Sequence, residues 1–296
     1  MVEQREQVAI IGFGEAGQAF VEGCGPTLAD HVRAFDIKTD LAQANNDKRA
    51  DYAAFGIEGC DTLAQALQDA TLIFSLVTAD QAADAARNAA ACIAPGAIFC
   101  DMNSVAPDTK RANAALIETA GGHYVDVAVM SPVRPALNRS PLLLTGRKAQ
   151  DAREALASLG FTDLRVVEGD IGRASAIKMI RSVMVKGLEA LTTEWVLAAR
   201  RAGVYEEVVP SLNAAWPGTD WGEKADYNLD RMMVHGLRRA AEMEEVVKTL
   251  DALGTGSTMT SGTVRRQRAI GLMHINEPPE GLDQKIELIL DRMANI

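Results

Sequence analysis

Gly12-Phe13-Gly14-Glu15-Ala16-Gly17 follows the apolar run Val8-Ala9-Ile10-Ile11. This is the G-x-G-x-x-G spacing of a strand–turn–helix that cradles a dinucleotide. Gly12 permits the tight turn, Gly14 lets a pyrophosphate approach the backbone, and Gly17 lets the helix pack closely on the strand. The loop's backbone N–H groups, those of Phe13, Glu15 and Ala16 among them, then face the phosphates, and the helix dipole adds to the attraction. Asp36 closes the next apolar run, Val32 to Phe35. A carboxylate there accepts from the adenosine ribose hydroxyls and repels a 2′-phosphate, so NAD(H) is favoured over NADP(H). Lys38 offers the opposite possibility, a phosphate partner, against its plainer reading as a solvated loop residue.

Other polar residues stand just past strand-like runs, where open α/β sheets bind ligands. Val77 and Thr78 end the run Thr71 to Val77 and are expected to border a nicotinamide. Asn103 and Ser104 follow Ala97 to Cys100, and their side chains suit a carboxylate or hydroxyl of a substrate. A turn that satisfies its own backbone before Pro107 is the competing reading. Ser131 and Arg134 lie in a later loop. Pro132 and Pro135 stiffen the backbone around Arg134, which reads either as a carboxylate clamp or as an exposed loop cation.

The elements that must position these residues follow from hydrophobic period. The apolar runs named above, together with His123 to Val127, Leu142 to Leu144 and Leu164 to Val167, have the length of buried strands. Ala-rich segments such as Gln81 to Ala94 separate them and read as helices. The alternation implies an α/β fold with a parallel sheet covered on both sides. After residue 168 the pattern changes. Ile177, Ile180, Met184, Leu188, Leu191 and Trp195 trace the apolar face of one long helix, with Asp170 as its cap and Gly203 as its stop. A second long helix runs from Asp230 to Leu253, with Met233, Leu237, Ala240, Val247 and Leu250 facing inward. Gly254 to Gly262 reads as a loop, and Leu282 to Met293 as a last helix. The expected domains are residues 1–168, a dinucleotide-binding Rossmann domain, and 169–296, a helical domain.

The 296 residues carry 30 Lys and Arg against 40 Asp and Glu, a net charge of -10, with 5% aromatics. An acidic, aromatic-poor chain is a poor nucleic-acid binder. Cys24, Cys60, Cys92 and Cys100 form no C-x-x-C pair and have no histidine at zinc spacing, so no metal site is expected. They read as small buried residues in a reducing compartment. The polar start Met1 to Gln7 and the absence of any run near the roughly 18 apolar residues of a membrane span give the expectation of a cytoplasmic protein without a membrane partner.

Four segments resemble the β-hydroxyacid dehydrogenases, the family of 3-hydroxyisobutyrate dehydrogenase and relatives of 6-phosphogluconate dehydrogenase. IGFGEAG is the first. Asp101 to Pro107 (DMNSVAP) looks like the family's D-x-S-T-x-x-P substrate loop, and Tyr124 to Ala136 (YVDVAVMSPVRPA) looks like its VDAPVSGG loop. Gly172 to Lys178 (GRASAIK) matches the spacing of its G-x-G-x-x-x-K helix, with Ala174 in place of the second glycine. The segment from Arg231 to Gly254 resembles a divergent subgroup, 6-phosphogluconate dehydrogenase-like oxidoreductases with a distinct C-terminal domain. The resemblance implies a Rossmann domain and an all-helical domain joined by a long interdomain helix, and a homodimer with intertwined helical domains.

It also implies roles. Lys178 takes the place of the family's catalytic lysine, against the plain reading of a surface lysine on an amphipathic helix. A lysine partly desolvated beside other cations exchanges protons near neutral pH. Ser182 stands where the family has an asparagine that orients substrate, and His235 where it has a lysine. Met130-Ser131-Pro132 replaces Ser-Gly-Gly. The expected function is hydride transfer between NAD(P)(H) and a small, anionic β-hydroxy acid or related carbonyl compound. Lys178 would serve as general acid–base, with Asn103, Ser104, Ser131, Arg134, Ser182 and His235 around the substrate. Imine reduction and non-catalytic NAD(P) sensing are the alternatives.

Overall fold

The computed structural model describes residues 7–41 and 44–294, so the reading of Met1 to Glu6 lies outside the described residues. The chain divides into two compact units, 1–179 and 180–296.

In the first unit the apolar runs become strands of one sheet. These are β1 (Val8–Ile11), β2 (Val32–Phe35), β3 (Glu58–Gly59), β4 (Leu72–Ser75), β5 (Ile98–Asp101), β6 (His123–Val129), β7 (Leu142–Thr145) and β8 (Leu164–Val166). Their order is β3-β2-β1-β4-β5-β6-β7-β8. Only β3, two residues without an apolar run, has no counterpart in the sequence reading. Side chains alternate between two cores. Val8, Ile10, Leu72 and Phe74 join Phe20 and Phe161 on one face, while Ala9, Ile11, Ile73 and Phe99 join Ile117 and Tyr124 on the other. The covering helices are α1 (Glu15–Cys24), α2 (Asn45–Ala54), α3 (Ala82–Ala90), α4 (Pro107–Thr119) and α5 (Ala149–Ser158).

The sheet is not parallel throughout. β6 and β7 pair antiparallel, Val129 opposite Leu142. No long helix carries the chain back between them. The loop closes on itself instead, with Met130 N donating to Pro141 O at 2.9 Å. A parallel return needs a crossover, usually helical, so the strand must come back head to tail.

The long helix, α6 (Arg173–Ala202), ends at Gly203, whose φ of 69° suits glycine. Asp170 does not cap it with its side chain. The carboxylate of Asp126, inside β6, accepts from Gly172 N at 3.2 Å and Ser175 N at 3.0 Å. Ala174 and Ile177 pack on Ala128 and Leu143, so the opening turns of α6 belong to the sheet unit and that unit reaches Met179 rather than 168.

The second unit holds the rest of α6 with α7 (Tyr205–Ala215), α8 (Trp221–Ala252), α9 (Thr258–Gly271) and α10 (Leu282–Ala294). Asp220 caps α8 through Gly222 N and Glu223 N, nine residues earlier than the sequence pattern placed its start. α9 occupies part of the expected loop, because Ser and Thr near a helix start mimic turn composition. On the expected face of α6, Met184 is 64% exposed and Ile180 and Leu191 are also exposed, while Ile177 and Trp195 pack inward; on α8 Leu237 is 42% exposed, while Met233 and Ala240 are buried as expected. The core joins Met233 to Val196, Leu229, Met232, Ile270, Ile286 and Ile289. Within it Glu189 receives Arg239 Nε at 2.9 Å and Gln267 Nε2 at 2.8 Å, so the buried charge is paired and bonded. Among the described residues no helix is long and apolar enough to cross a membrane. The four cysteines are free, and burial pushes the Cys24 and Cys100 thiols up to about 12.

α8 and α9 touch backbone to backbone. A Cβ at Gly236 would lie 2.6 Å from Gln267 O and 2.7 Å from Gly271 N, neither of which can rotate away. Gly236→Ala is therefore expected to destabilise the protein by about 1–3 kcal/mol, the usual range for overpacking, although alanine is the better helix former. Thermal or urea unfolding checks this, and an unchanged or raised midpoint would show that the helices can part.

Candidate active site

β1 delivers the chain into Gly12 with φ of 86°. A Cβ there would lie 2.7 Å from Leu76 O and 2.8 Å from Val77 Cγ1, so only glycine fits. The next peptide is held at both ends. Phe13 N donates to Asp36 Oδ2 at 2.9 Å, and Phe13 O accepts from Lys48 Nζ at 2.8 Å. Lys48 is buried and pairs with Asp51 at 2.7 Å. The Phe13 ring is fully buried beside Tyr52 and Phe55, and with its N–H and carbonyl also taken Phe13 anchors the loop; the expectation that its N–H faces a phosphate is not met, because Asp36 holds it. Asp36, at the end of β2, also accepts from Lys38 N at 3.0 Å, while the Lys38 side chain is exposed.

Gly14 begins α1 and has no side-chain cap, and no atom lies within 4 Å of where its Cβ would stand. Gly17 is tight, 3.1 Å from the Phe13 ring by the same measure. Glu15 is exposed and Ala16 half-buried in the opening turn. The result is an open cradle at a helix N-terminus, between β1 and β4 where the strand order reverses. Such a cradle could hold the phosphates of a dinucleotide, with Asp36, Val77 and Thr78 at the neighbouring strand ends.

Next to it, Asn103 is buried and fully engaged. Its Oδ1 accepts from Val77 N at 2.7 Å, its Nδ2 donates to Ser75 Oγ at 2.9 Å, and its own N–H donates to Asp101 Oδ1 at 3.0 Å. Asn103 thus staples the β4 and β5 loops together, close to the turn-satisfying reading of this segment. Ser104, half-buried, accepts from Lys178 Nζ at 2.5 Å. Lys178 is itself half-buried on α6 rather than on a solvent face.

Other expected residues are engaged elsewhere. Arg134 is 44% exposed and pairs with Glu22 on α1 at 2.7 Å, so it is a loop cation with a partner of its own. Ser131 donates to the neighbouring Pro132 O at 3.2 Å. In the second unit, Ser182 is buried and accepts from Lys186 Nζ at 3.4 Å, and Lys186 pairs with Glu242 at 2.7 Å. His235 is half-buried on α8.

One cluster escaped the sequence reading. Asp101 on β5 and Asp126 on β6 lie opposite each other in register, and both are fully buried with Lys110 of α4. Lys110 Nζ donates to Asp101 O at 2.6 Å and Asp101 Oδ1 at 2.9 Å, and stands 3.4 Å from Asp126 Oδ1. Tyr124 Oη donates to Asp101 Oδ2 at 2.6 Å, and Asn113 Nδ2 to the same oxygen at 3.2 Å. Burial, then the charges of Asp101 and Asp126, hold the Tyr124 hydroxyl well above its ordinary pKa, so it stays a donor. The available signal was two aspartates inside apolar strands; nothing in the sequence marked Lys110.

An open glycine cradle at a sheet's switch point, with a lysine held on a serine beside it, belongs to the nicotinamide-dependent oxidoreductases. Residues 7–161 match the NAD binding domain of 6-phosphogluconate dehydrogenase, and the chain belongs to that family. Residues 199–270 match a domain of unknown function, DUF1932. The chain is similar to a conserved hypothetical protein from Sinorhizobium meliloti, with 36% identity, 98% of this chain and 97% of that one covered, and a TM-score of 0.73. It is also similar to the conserved protein MTH1747, described as structurally similar to 3-hydroxyacid dehydrogenases, with 28% identity, 91% and 98% coverage and a TM-score of 0.66. Mycobacterium tuberculosis 3-hydroxyisobutyrate dehydrogenase shares the fold, with 16% identity, 96% and 98% coverage and a TM-score of 0.72.

Proposed function

We propose that the protein is a dehydrogenase that transfers hydride between NAD(H) and a small anionic β-hydroxy acid or its carbonyl counterpart, with Lys178 as general acid–base. The observation that carries this reading is the 2.5 Å contact from Lys178 Nζ to Ser104 Oγ, beside the loop that Asn103 ties to Val77. The bound nicotinamide supplies the acceptor or donor of the hydride. Lys178 takes the substrate's hydroxyl proton as the carbinol C–H bond gives up its hydride and the carbonyl forms, and returns a proton in the reverse direction. Ser104 holds the amine in place and shares its hydroxyl with the substrate oxygen. Asn103 acts through the loop it staples. Arg134 would have to leave Glu22 to meet a carboxylate, which sets it behind Ser104 and Ser131 as a substrate contact.

The test is a panel of hydroxy acids, aldehydes, keto acids and cyclic imines, followed by NAD(P)H absorbance. Lys178→Met should keep the fold and NADH binding and lower turnover about 10²–10⁴-fold, the range of a lost acid–base group. Lys178→Arg should not rescue it, because a guanidinium stays protonated. Near wild-type turnover in Lys178→Met, or activity on imines alone, would sink the hydroxy-acid reading. Cofactor binding with no turnover on the whole panel would favour a sensor.

Asp36 supports NAD(H) as the cofactor. Asn at position 36 still accepts one of the two N–H bonds but no longer repels a 2′-phosphate. Asp36→Asn is expected to narrow the preference for NADH over NADPH about tenfold, the size of one ~1.4 kcal/mol repulsion. Fluorescence titration with both cofactors measures it, and a wild-type preference for NADPH would show that another residue decides.

The exposed Ile180, Met184 and Leu191 on α6 support assembly with a second copy of the chain, since apolar residues at helical spacing lose water most readily against a like surface. Light scattering at micromolar concentration should return a dimer, and a monomer would refute it.

A further inference from the structure

The buried cluster of Asp101, Lys110 and Asp126 sits in the interior of the sheet unit, away from solvent, and takes no part in the chemistry proposed above. Replacing such a buried ionic cluster with apolar residues is often neutral or stabilising. Its wiring, however, has two ends. Asp101 Oδ1 receives the N–H of Asn103, the residue before Ser104. Asp126 Oδ2 receives the N–H groups of Gly172 and Ser175, and Lys178 lies three residues after Ser175 on the same side of α6. Lys110 bonds the first aspartate and faces the second. Asp126 Oδ1 has no hydrogen bond, so the Lys110 charge, 3.4 Å away, is what compensates it.

We propose that Asp126 and Lys110 are positioning residues for Lys178 and Ser104. Asp126 fixes where α6 begins, and Lys110 ties that point to the loop that presents Ser104, so both members of the pair are set from one buried ammonium. Two like charges in register on adjacent strands repel. The single cation between them offsets that repulsion and links the strand that leads into the Ser104 loop to the strand whose Asp126 caps the helix. The first-turn amides of α6, which would otherwise want water or a ligand, are engaged before any substrate arrives. The inference rests on the reading of Lys178 as the acid–base group, so its test needs an arm that does not use turnover.

That arm is competitive acetylation with acetic anhydride at mildly alkaline pH, read by mass spectrometry as the rate at Lys178 relative to the exposed Lys38 in the full chain. The wild-type ratio is the reference, since half-burial slows acetylation while an amine that exchanges protons near neutral pH is the faster nucleophile. Asp126→Ala, which removes both the cap and the tie to Lys110, should raise the Lys178 rate about threefold or more by letting the first turn open. Asp126→Asn keeps an oxygen for the two amides but loses the charge that Lys110 meets, so it should raise the rate measurably and less than Asp126→Ala does. In the turnover arm, with a substrate from the panel, Asp126→Ala should lower kcat about tenfold to a hundredfold, the cost of a misplaced catalytic group. NADH affinity should be unchanged, and Asp126→Asn should again recover part of the loss.

A folded Asp126→Ala protein with an unchanged Lys178 rate overturns the proposal. If Asp126→Ala does not fold, Asp126→Asn decides alone, since it removes only the charge that Lys110 meets. A small rise in the Lys178 rate then supports the tie, and no rise overturns it. If Lys178→Met retains turnover, the acid–base reading fails on its own, and the acetylation arm still reports whether Asp126 sets the lysine.

Discussion

Two fully buried carboxylates, Asp101 and Asp126, lie opposite each other on adjacent strands, and the one ammonium of Lys110 meets both. The loop after β5 and the first turn of α6 are both bonded to that cluster. Asp101 is bonded by Lys110, Tyr124, Asn113 and the Asn103 amide, while Asp126 spends one oxygen on the start of α6. The negative charge of Asp126 is met by the helix N-terminus as well as by Lys110, which is the favourable orientation for a macrodipole. A sheet with apolar residues at these two positions would pack as well. It would leave the loop after β5 and the first turn of α6 without a common reference.

The dinucleotide side of the sheet follows the same logic on a smaller scale. A glycine loop that must approach phosphates has few side chains of its own to hold it. Here the hold comes from the one large side chain, Phe13, and from groups outside the loop. Asp36 takes the Phe13 N–H, Lys48 takes the Phe13 carbonyl, and the Phe13 ring is locked between Tyr52 and Phe55. The open face at Gly14 is the counterpart of these clamps. Rigidity behind the loop and vacant space in front of it are what a preorganised anion cradle requires.

The helical unit solves a different problem. α8 and α9 approach until glycine meets glycine, and the Glu189–Arg239 ion pair, joined by the amide of Gln267, is enclosed where they meet α6. Close approach increases the dispersion contact of the backbones. It also removes the freedom to slide, because the bidentate Arg239–Glu189 pair has one geometry.

Local signals in the chain determined much of this. Strand-length apolar runs, the glycine spacing, Asp36 at a strand end, the change of period after residue 168 and the lysine after Gly172 are all patterns of near neighbours, and local backbone geometry answers to them directly. The placement of Lys178 against Ser104 was legible as two candidates, not as a contact. What only the tertiary structure decided involves partners far apart in the chain. Asp126 caps a helix some fifty residues later, where the local pattern pointed to Asp170. Lys110 is indistinguishable from any helical lysine until two strands bury it. Arg134 finds Glu22, Asn103 finds Val77 and Ser75, and β7 turns antiparallel because its loop closes without a long crossover helix. The face of α6 gave the same lesson: periodicity marks an apolar stripe, but how much of it is covered depends on the neighbour that arrives, and the neighbour is not written in the stripe.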